Sequence, residues 1–177
     1  MSSIRIAGTI SESIVDGPGF RYVVFTQGCP HHCEGCHNPQ THDFAGGSVV
    51  DTETMLGQIQ ANPLLSGVTF SGGEPFCQPK PLIEMAKEVR AAGRNVMAYS
   101  GYTYEQLLTS DDPDVRELLS LCDILVDGPF VLAERDLTLR FRGSRNQRLL
   151  DVPKSLAAGQ PVWWEDEKVF ATHSMER

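Results

Sequence analysis

The run Cys29-Pro30-His31-His32-Cys33-Glu34-Gly35-Cys36 sets three cysteines in a C-x3-C-x2-C spacing that can gather three thiolates at one metal centre. Two chemistries suit it. A structural zinc wants four protein ligands, and His31, His32 or His37 could complete a Cys3His set. An iron-sulfur cluster usually takes four cysteines, so three leave one iron open to a ligand that is not protein, and an open iron is where chemistry can happen. Spacing alone does not choose between them. Cys77, two residues beyond Gly72-Gly73-Glu74-Pro75, is the remaining candidate for a fourth thiolate. Cys77 and Cys122 both otherwise read as structural or incidental.

The elements around these residues follow from pattern. A strand over Arg21 to Thr26 is entered from the turn Asp16-Gly17-Pro18-Gly19 and runs straight into the cysteine loop, which therefore sits at a strand's C-terminal end. A helix over Thr52 to Ala61 buries Met55, Leu56 and Ile59 and stops where Pro63 follows Asn62. The buried strand Gly67 to Ser71 opens into Gly72-Gly73-Glu74-Pro75. By itself this motif reads as an ordinary turn, although glycines let a ligand approach the backbone and the acid could hold an ammonium group. Pro81 then starts an amphipathic helix that Gly93 ends.

Next come a strand over Asn95 to Ser100 and a capping box, Thr103 with Gln106. A helix from Asp112-Pro113 carries Val115, Leu118 and Leu119, and the strand Asp123 to Val126 breaks at Asp127-Gly128-Pro129. The pattern weakens after about residue 135. Residues 137 to 164 hold one more strand or two, and the tail after about 164 is polar enough to be loose. Strands alternating with helices indicate an α/β fold around a largely parallel sheet.

Composition narrows the class. With 177 residues, 41% hydrophobic and 21% charged, the chain reads as a single domain over 1–177. A net charge of -8 argues against a nucleic-acid partner. Nothing resembles a signal peptide, and no apolar run approaches the roughly 18 residues of a membrane span, so the expectation is a cytoplasmic protein with no membrane partner. Five cysteines, three of them clustered, fit a reducing compartment and a metal site.

With both motifs in view, the chain resembles the radical S-adenosylmethionine enzymes, and within them the small activases that install a glycyl radical on a partner. Asp16-Gly17-Pro18-Gly19-Phe20-Arg21, Gly28-Cys29, the three-cysteine loop, His37-Asn38 and Ser71-Gly72-Gly73-Glu74-Pro75 follow the activase order. Leu125-Val126-Asp127-Gly128-Pro129-Phe130 and Arg142-Gly143-Ser144-Arg145-Asn146-Gln147 look most like the activators of the anaerobic ribonucleoside-triphosphate reductase. The likeness covers about residues 5 to 150. Many radical S-adenosylmethionine proteins carry an aromatic residue where Gly35 stands, and the reductase activators share the glycine.

The resemblance implies a [4Fe-4S] cluster on Cys29, Cys33 and Cys36, which are thereby the catalytic residues, with S-adenosylmethionine chelating the fourth iron. Gly72, Gly73 and Glu74 would meet the methionine amino group, and Gly35, Cys36 and His37 the adenosyl part. Reductive cleavage would yield a 5'-deoxyadenosyl radical that takes a hydrogen atom from a glycine of the reductase's large subunit, the electron coming from an unidentified low-potential donor. The implied scaffold is a partial, open (β/α) barrel, which the length fits because a closed one uses about 250 residues.

An activase of another glycyl radical enzyme, such as pyruvate formate-lyase, is one alternative; a non-catalytic zinc-stabilised binding module is the other. Arg142, Ser144, Asn146 and Gln147 support S-adenosylmethionine or the incoming glycine, or else form a hydrogen-bonded turn. Asp127 is a polar contact or a helix cap, and Trp163 and Trp164 are packing or partner surface.

Overall fold

In the computed structural model, which describes residues 2–165, period-two alternation decides which strand residues meet helices and which face the other way. The chain runs β1 (Ser3–Ser13), β2 (Arg21–Thr26), β3 (Ser48–Asp51), α1 (Thr52–Ala61), β4 (Gly67–Gly72), α2 (Pro79–Ala91), β5 (Asn95–Tyr99), α3 (Tyr104–Leu108), α4 (Pro113–Leu121), β6 (Ile124–Asp127), β7 (Arg148–Asp151) and α5 (Val152–Ala158). All seven strands form one sheet in the order β3-β1-β2-β4-β5-β6-β7. It is open: β3 and β7 lie at opposite edges.

Tyr22 and Val24 of β2, Val68 and Phe70 of β4, Val96 and Ala98 of β5 and Leu125 of β6 share one core with Met55, Ile59, Leu82, Met85, Leu107, Leu118 and Leu119 from the helices. The alternate residues Met97, Ile124 and Val126 form a second, smaller cluster with Leu149, Tyr99, Phe141, Trp163 and Trp164. Helices thus cover one face, and the late chain covers part of the other. Trp163 and Trp164 pack here, as one of their two expected roles has it.

Arg21, alternating with Tyr22, is fully buried. Its guanidinium donates to Thr69 Oγ1 at 2.7 Å, Val68 O at 2.7 Å and Pro18 O at 3.0 Å. Burial presses its pKa down to about 10. Gly17, at φ 138°, must be glycine because a Cβ there would meet Arg21 Cδ at 2.6 Å. The Asp16-Gly17-Pro18-Gly19 turn is therefore shaped to close over that arginine.

Several expected elements stand as read, among them α1 and the Thr103 and Gln106 capping box. Others differ. The parallel pairs are β2 with β4, β4 with β5 and β5 with β6, whereas β1, β3 and β7 join antiparallel, so the sheet is only half parallel. The strands β1 and β3, at one end of the sheet, and the helix α5 were not expected. Helix α2 starts at Pro79, and Pro81 sits in its first turn, where a missing N–H costs no intrahelical bond. Residues 137–164 contain one strand, β7. The expected loose tail lies, from residue 166, outside the described residues. Among the described residues no helix is long and apolar enough to cross a membrane.

Asp127 and Arg148 lock the antiparallel edge. The buried Asp127 carboxylate accepts the Tyr104 N–H of α3 at 2.7 Å and pairs with Arg148, which also reaches Glu105 at 2.6 Å. Of the two uses expected for Asp127, helix capping is the one seen. Arg148→Ala leaves this carboxylate buried without its counter-ion and is expected to cost about 2 kcal/mol. Urea unfolding measures the loss, and adding Asp127→Asn recovers part of it.

Candidate active site

The C-terminal ends of the parallel strands are where side chains from different elements converge. Phe25, the residue paired with it, Ser71, and Tyr99 all open onto one cavity of about 730 Å³. Cys29, Cys33 and Cys36 line the same cavity. The loop carrying them closes on itself at its base, where Gly28 N–H donates to Thr41 O at 2.6 Å and Cys29 N–H to His42 O at 3.1 Å. Cys36 N–H bonds back to Cys33 O at 3.2 Å across a turn in which Gly35 takes φ 73°. His32 also holds a left-handed backbone, at φ 51°, a conformation uncommon for non-glycine residues.

Gly72 and Gly73 hold this loop against the sheet. Gly73 N–H donates to Thr26 O and Glu74 N–H to Gly28 O, both at 2.8 Å. A Cβ on Gly73 would meet Gly28 O at 2.4 Å. The glycine pair is thus required for two backbones to pass closely, and both glycines still line the cavity.

Glu74 lies elsewhere. Its carboxylate is fully enclosed and is not among the cavity-lining groups. It accepts from His31 Nε2 at 2.5 Å, Ser100 Oγ at 2.9 Å, Gly101 N–H at 2.8 Å and Phe76 N–H at 3.1 Å. The His31 ring sits edge-on to Tyr102 and so close to Gly101 that a Cβ there would strike it at 2.4 Å. Glu74 therefore fastens the cysteine loop to the ends of β4 and β5. Its spacing in the motif signalled an acid at the site, but nothing local signalled His31, Ser100 and Gly101 as its partners.

Of the other expected residues, Cys36 and His37 line the cavity. Gly35 does not: it faces Leu132, whose Cδ1 a Cβ would meet at 2.8 Å. His37 stands edge-on to Phe130 with centroids 5.2 Å apart, and both rings border the cavity. Arg142 and Gln147 line it as well, whereas Ser144 is buried with its hydroxyl accepting from Val131 N–H, and Asn146 donates to Pro129 O. That motif is thus partly cavity wall and partly hydrogen-bonded turn. Cys77 is not a lining residue, and Cys122 is wholly buried, its thiol donating to Leu118 O and pushed up to about 12 by burial. Sequence reasoning missed Asn38, His42, Tyr99, Leu139 and Phe141 as wall residues.

The donor set fits an iron-sulfur cluster. Three soft thiols face one space, and Asn38 N–H donates to Cys36 Sγ at 3.4 Å, the kind of contact that tunes a cluster sulfur. Burial raises the Cys29 pKa, and Glu74, Cys33 and Cys36 add to the rise, so a cationic centre is what would make three thiolates stable together. Among the described residues no three His, Cys, Asp or Glu side chains converge as a single-ion set.

Glu74→Gln turns amide hydrogens toward groups that already donate, so it is expected to destabilise the protein by about 1–3 kcal/mol. Iron and sulfide retained after anaerobic reconstitution should fall with it.

Comparison with known proteins agrees with this geometry. Residues 15–150 match the family described as a 4Fe-4S single cluster domain. The anaerobic ribonucleoside-triphosphate reductase-activating protein of Escherichia coli K12 is 34% identical over 144 residues, covering 76% of this chain and 90% of that protein. Its Haemophilus influenzae counterpart is 31% identical over 144 residues, with 76% and 89% covered. The pyruvate formate-lyase-activating enzyme of Clostridium pasteurianum is 40% identical over 117 residues, 61% of this chain, and the match spans 49% of that longer protein. Among solved structures, QueE from Escherichia coli matches with a TM-score of 0.45 at 18% identity, over 57% of this chain and 54% of that one. The chain belongs to the 4Fe-4S single cluster domain family, as a radical S-adenosylmethionine enzyme of the glycyl-radical-activating kind whose cofactors are a [4Fe-4S] cluster and S-adenosylmethionine.

Proposed function

We propose that this chain activates an anaerobic ribonucleoside-triphosphate reductase by generating a glycyl radical on its large subunit. The observation that carries the proposal is one cavity lined by all three loop cysteines and by Gly72 and Gly73. Relatives that bear the reductase-activator name, and that this chain covers almost end to end, support the choice of partner.

When bound, the cluster and S-adenosylmethionine supply an electron to the sulfonium and a 5'-deoxyadenosyl radical, which removes a glycine α-hydrogen and leaves methionine and 5'-deoxyadenosine. The protein's part is placement and shielding. Cys29, Cys33 and Cys36 would each hold one iron, leaving the fourth for the substrate. Gly72 and Gly73 line the cavity at the end of β4, where their lack of side chains would let the methionine amino group approach the backbone. His37 and Phe130 offer an aromatic corner for a purine. Phe25, Tyr99, Leu139 and Phe141 supply apolar wall that keeps water from a reactive radical. Glu74 acts as a positioning residue, holding the loop through His31.

Pyruvate formate-lyase is the second reading, favoured by the 40% identity to its activator from Clostridium pasteurianum. Anaerobically reconstituted protein should form 5'-deoxyadenosine under a strong reductant, and incubation with the reductase large subunit should give a glycyl radical signal by electron paramagnetic resonance. A signal only with pyruvate formate-lyase transfers the assignment to that partner. Cys36→Ala should lose iron and 5'-deoxyadenosine formation together while far-ultraviolet circular dichroism stays unchanged; a folded variant that still turns over would refute cluster-based cleavage.

A further inference from the structure

Between the last turn of the parallel region and β7 the chain makes a flap over the cavity. An antiparallel bridge between Arg135 and Ser144 closes it, with Asp136 N–H donating to Gly143 O at 3.2 Å and Arg145 N–H to Glu134 O at 2.9 Å. Gln147 clamps its base: Oε1 accepts from Gly143 N–H and Ser144 N–H at 3.0 and 3.1 Å, and Nε2 donates to Gly128 O at 3.0 Å. Leu137, Leu139 and Phe141, at alternate positions, all line the cavity, and Leu137 is 76% exposed. Phe141 holds φ 64°, a genuine outlier for a bulky residue. It packs against the cluster of Met97, Ile124, Val126 and Leu149, with the Arg140 guanidinium 4.4 Å from its ring centroid. A strained, over-determined residue in a cavity wall is the pattern of a functional surface.

Charge distinguishes this side of the mouth. Five of the chain's 15 lysines and arginines fall within residues 135–148, where Asp136 is the one acid. The chain as a whole carries -8, and residues 22–79, which include the cysteine loop, contain no lysine or arginine. Arg135 and Arg145, at the base of the flap, are exposed. The flap thus brings Arg142 and the apolar Leu137, Leu139 and Phe141 to the cavity wall, with Arg135 and Arg145 exposed at its base.

We propose that this flap is the docking surface for the partner protein, and that it receives an acidic polypeptide segment flanking the target glycine. Arg135 and Arg145 pair with the segment's carboxylates, and Leu137 covers its apolar part. The proposal rests on the activase reading of the same cavity. A basic rim on an otherwise acidic protein steers an oppositely charged partner and sets its orientation, while a nucleic acid would be repelled by the rest of the surface.

Binding of the reductase large subunit to the reconstituted holoenzyme, measured anaerobically at salt from about 50 to 500 mM, tests it. Wild type should weaken as salt rises. The double variant R135E/R145E should bind about tenfold less tightly at low salt and lose most of that salt response, while 5'-deoxyadenosine formation without partner stays within about twofold. R135Q/R145Q should fall between the two, which keeps the test valid if charge reversal harms folding. L137S should weaken binding with the salt response intact. Variants that bind like wild type, or wild-type binding indifferent to salt, overturn the proposal. If wild type neither binds the subunit nor produces a glycyl radical on it, the activase reading itself fails and the docking surface falls with it.

Discussion

The Glu74 carboxylate is the constraint on which the top of this molecule depends. A fully buried carboxylate is tolerated only when its oxygens are saturated with donors, and here the donors come from three different segments: His31 in the cysteine loop, Phe76 after β4, and Ser100 with Gly101 after β5. Satisfying one charge therefore fixes three chain segments relative to one another. The cysteine loop, whose own regular structure amounts to a short turn, inherits the rigidity of the sheet.

Glycine makes that fastening sterically feasible. Gly73 passes Gly28 at a distance no Cβ would permit, and Gly101 leaves room for the His31 ring. The loop is consequently held by backbone bonds below and by a charged contact above, with its three thiols left facing the cavity. A cluster ligand set has to survive gain and loss of charge at the metal, and a scaffold that does not lean on the thiolates themselves suits that demand.

The sheet explains where the cavity can be. Helices cover only one face, so the other is free to curve around a space bordered by Phe25, Ser71 and Tyr99 from adjacent parallel strands. The flap before β7 walls off one side through Leu137, Leu139, Phe141 and Arg142, and Ile10 of β1 with Val15 and Asp16 of the turn after it line another. The cavity thus lies beside a flap rich in arginine, on a chain that is acidic overall.

Much of this was legible in the residues. The central strands, α1, the capping box at Thr103 and the pairing of a three-cysteine loop with Gly72-Gly73-Glu74-Pro75 depend on local pattern and spacing, and these are properties a sequence carries. The strands β1 and β3 were not read, because a half-exposed strand gains its identity from the neighbour it pairs with.

The direction of Glu74, the His31 contact and the strained Phe141 were also beyond the sequence. Each is set by atoms tens of residues away, so no window along the chain contains its cause. The sequence by itself determined the candidate ligands, because cysteines at that spacing and glycines after a strand are local facts. Only the tertiary structure decided that Glu74 binds the loop and not the cavity, since a buried charge turns toward whatever donors folding brings within reach.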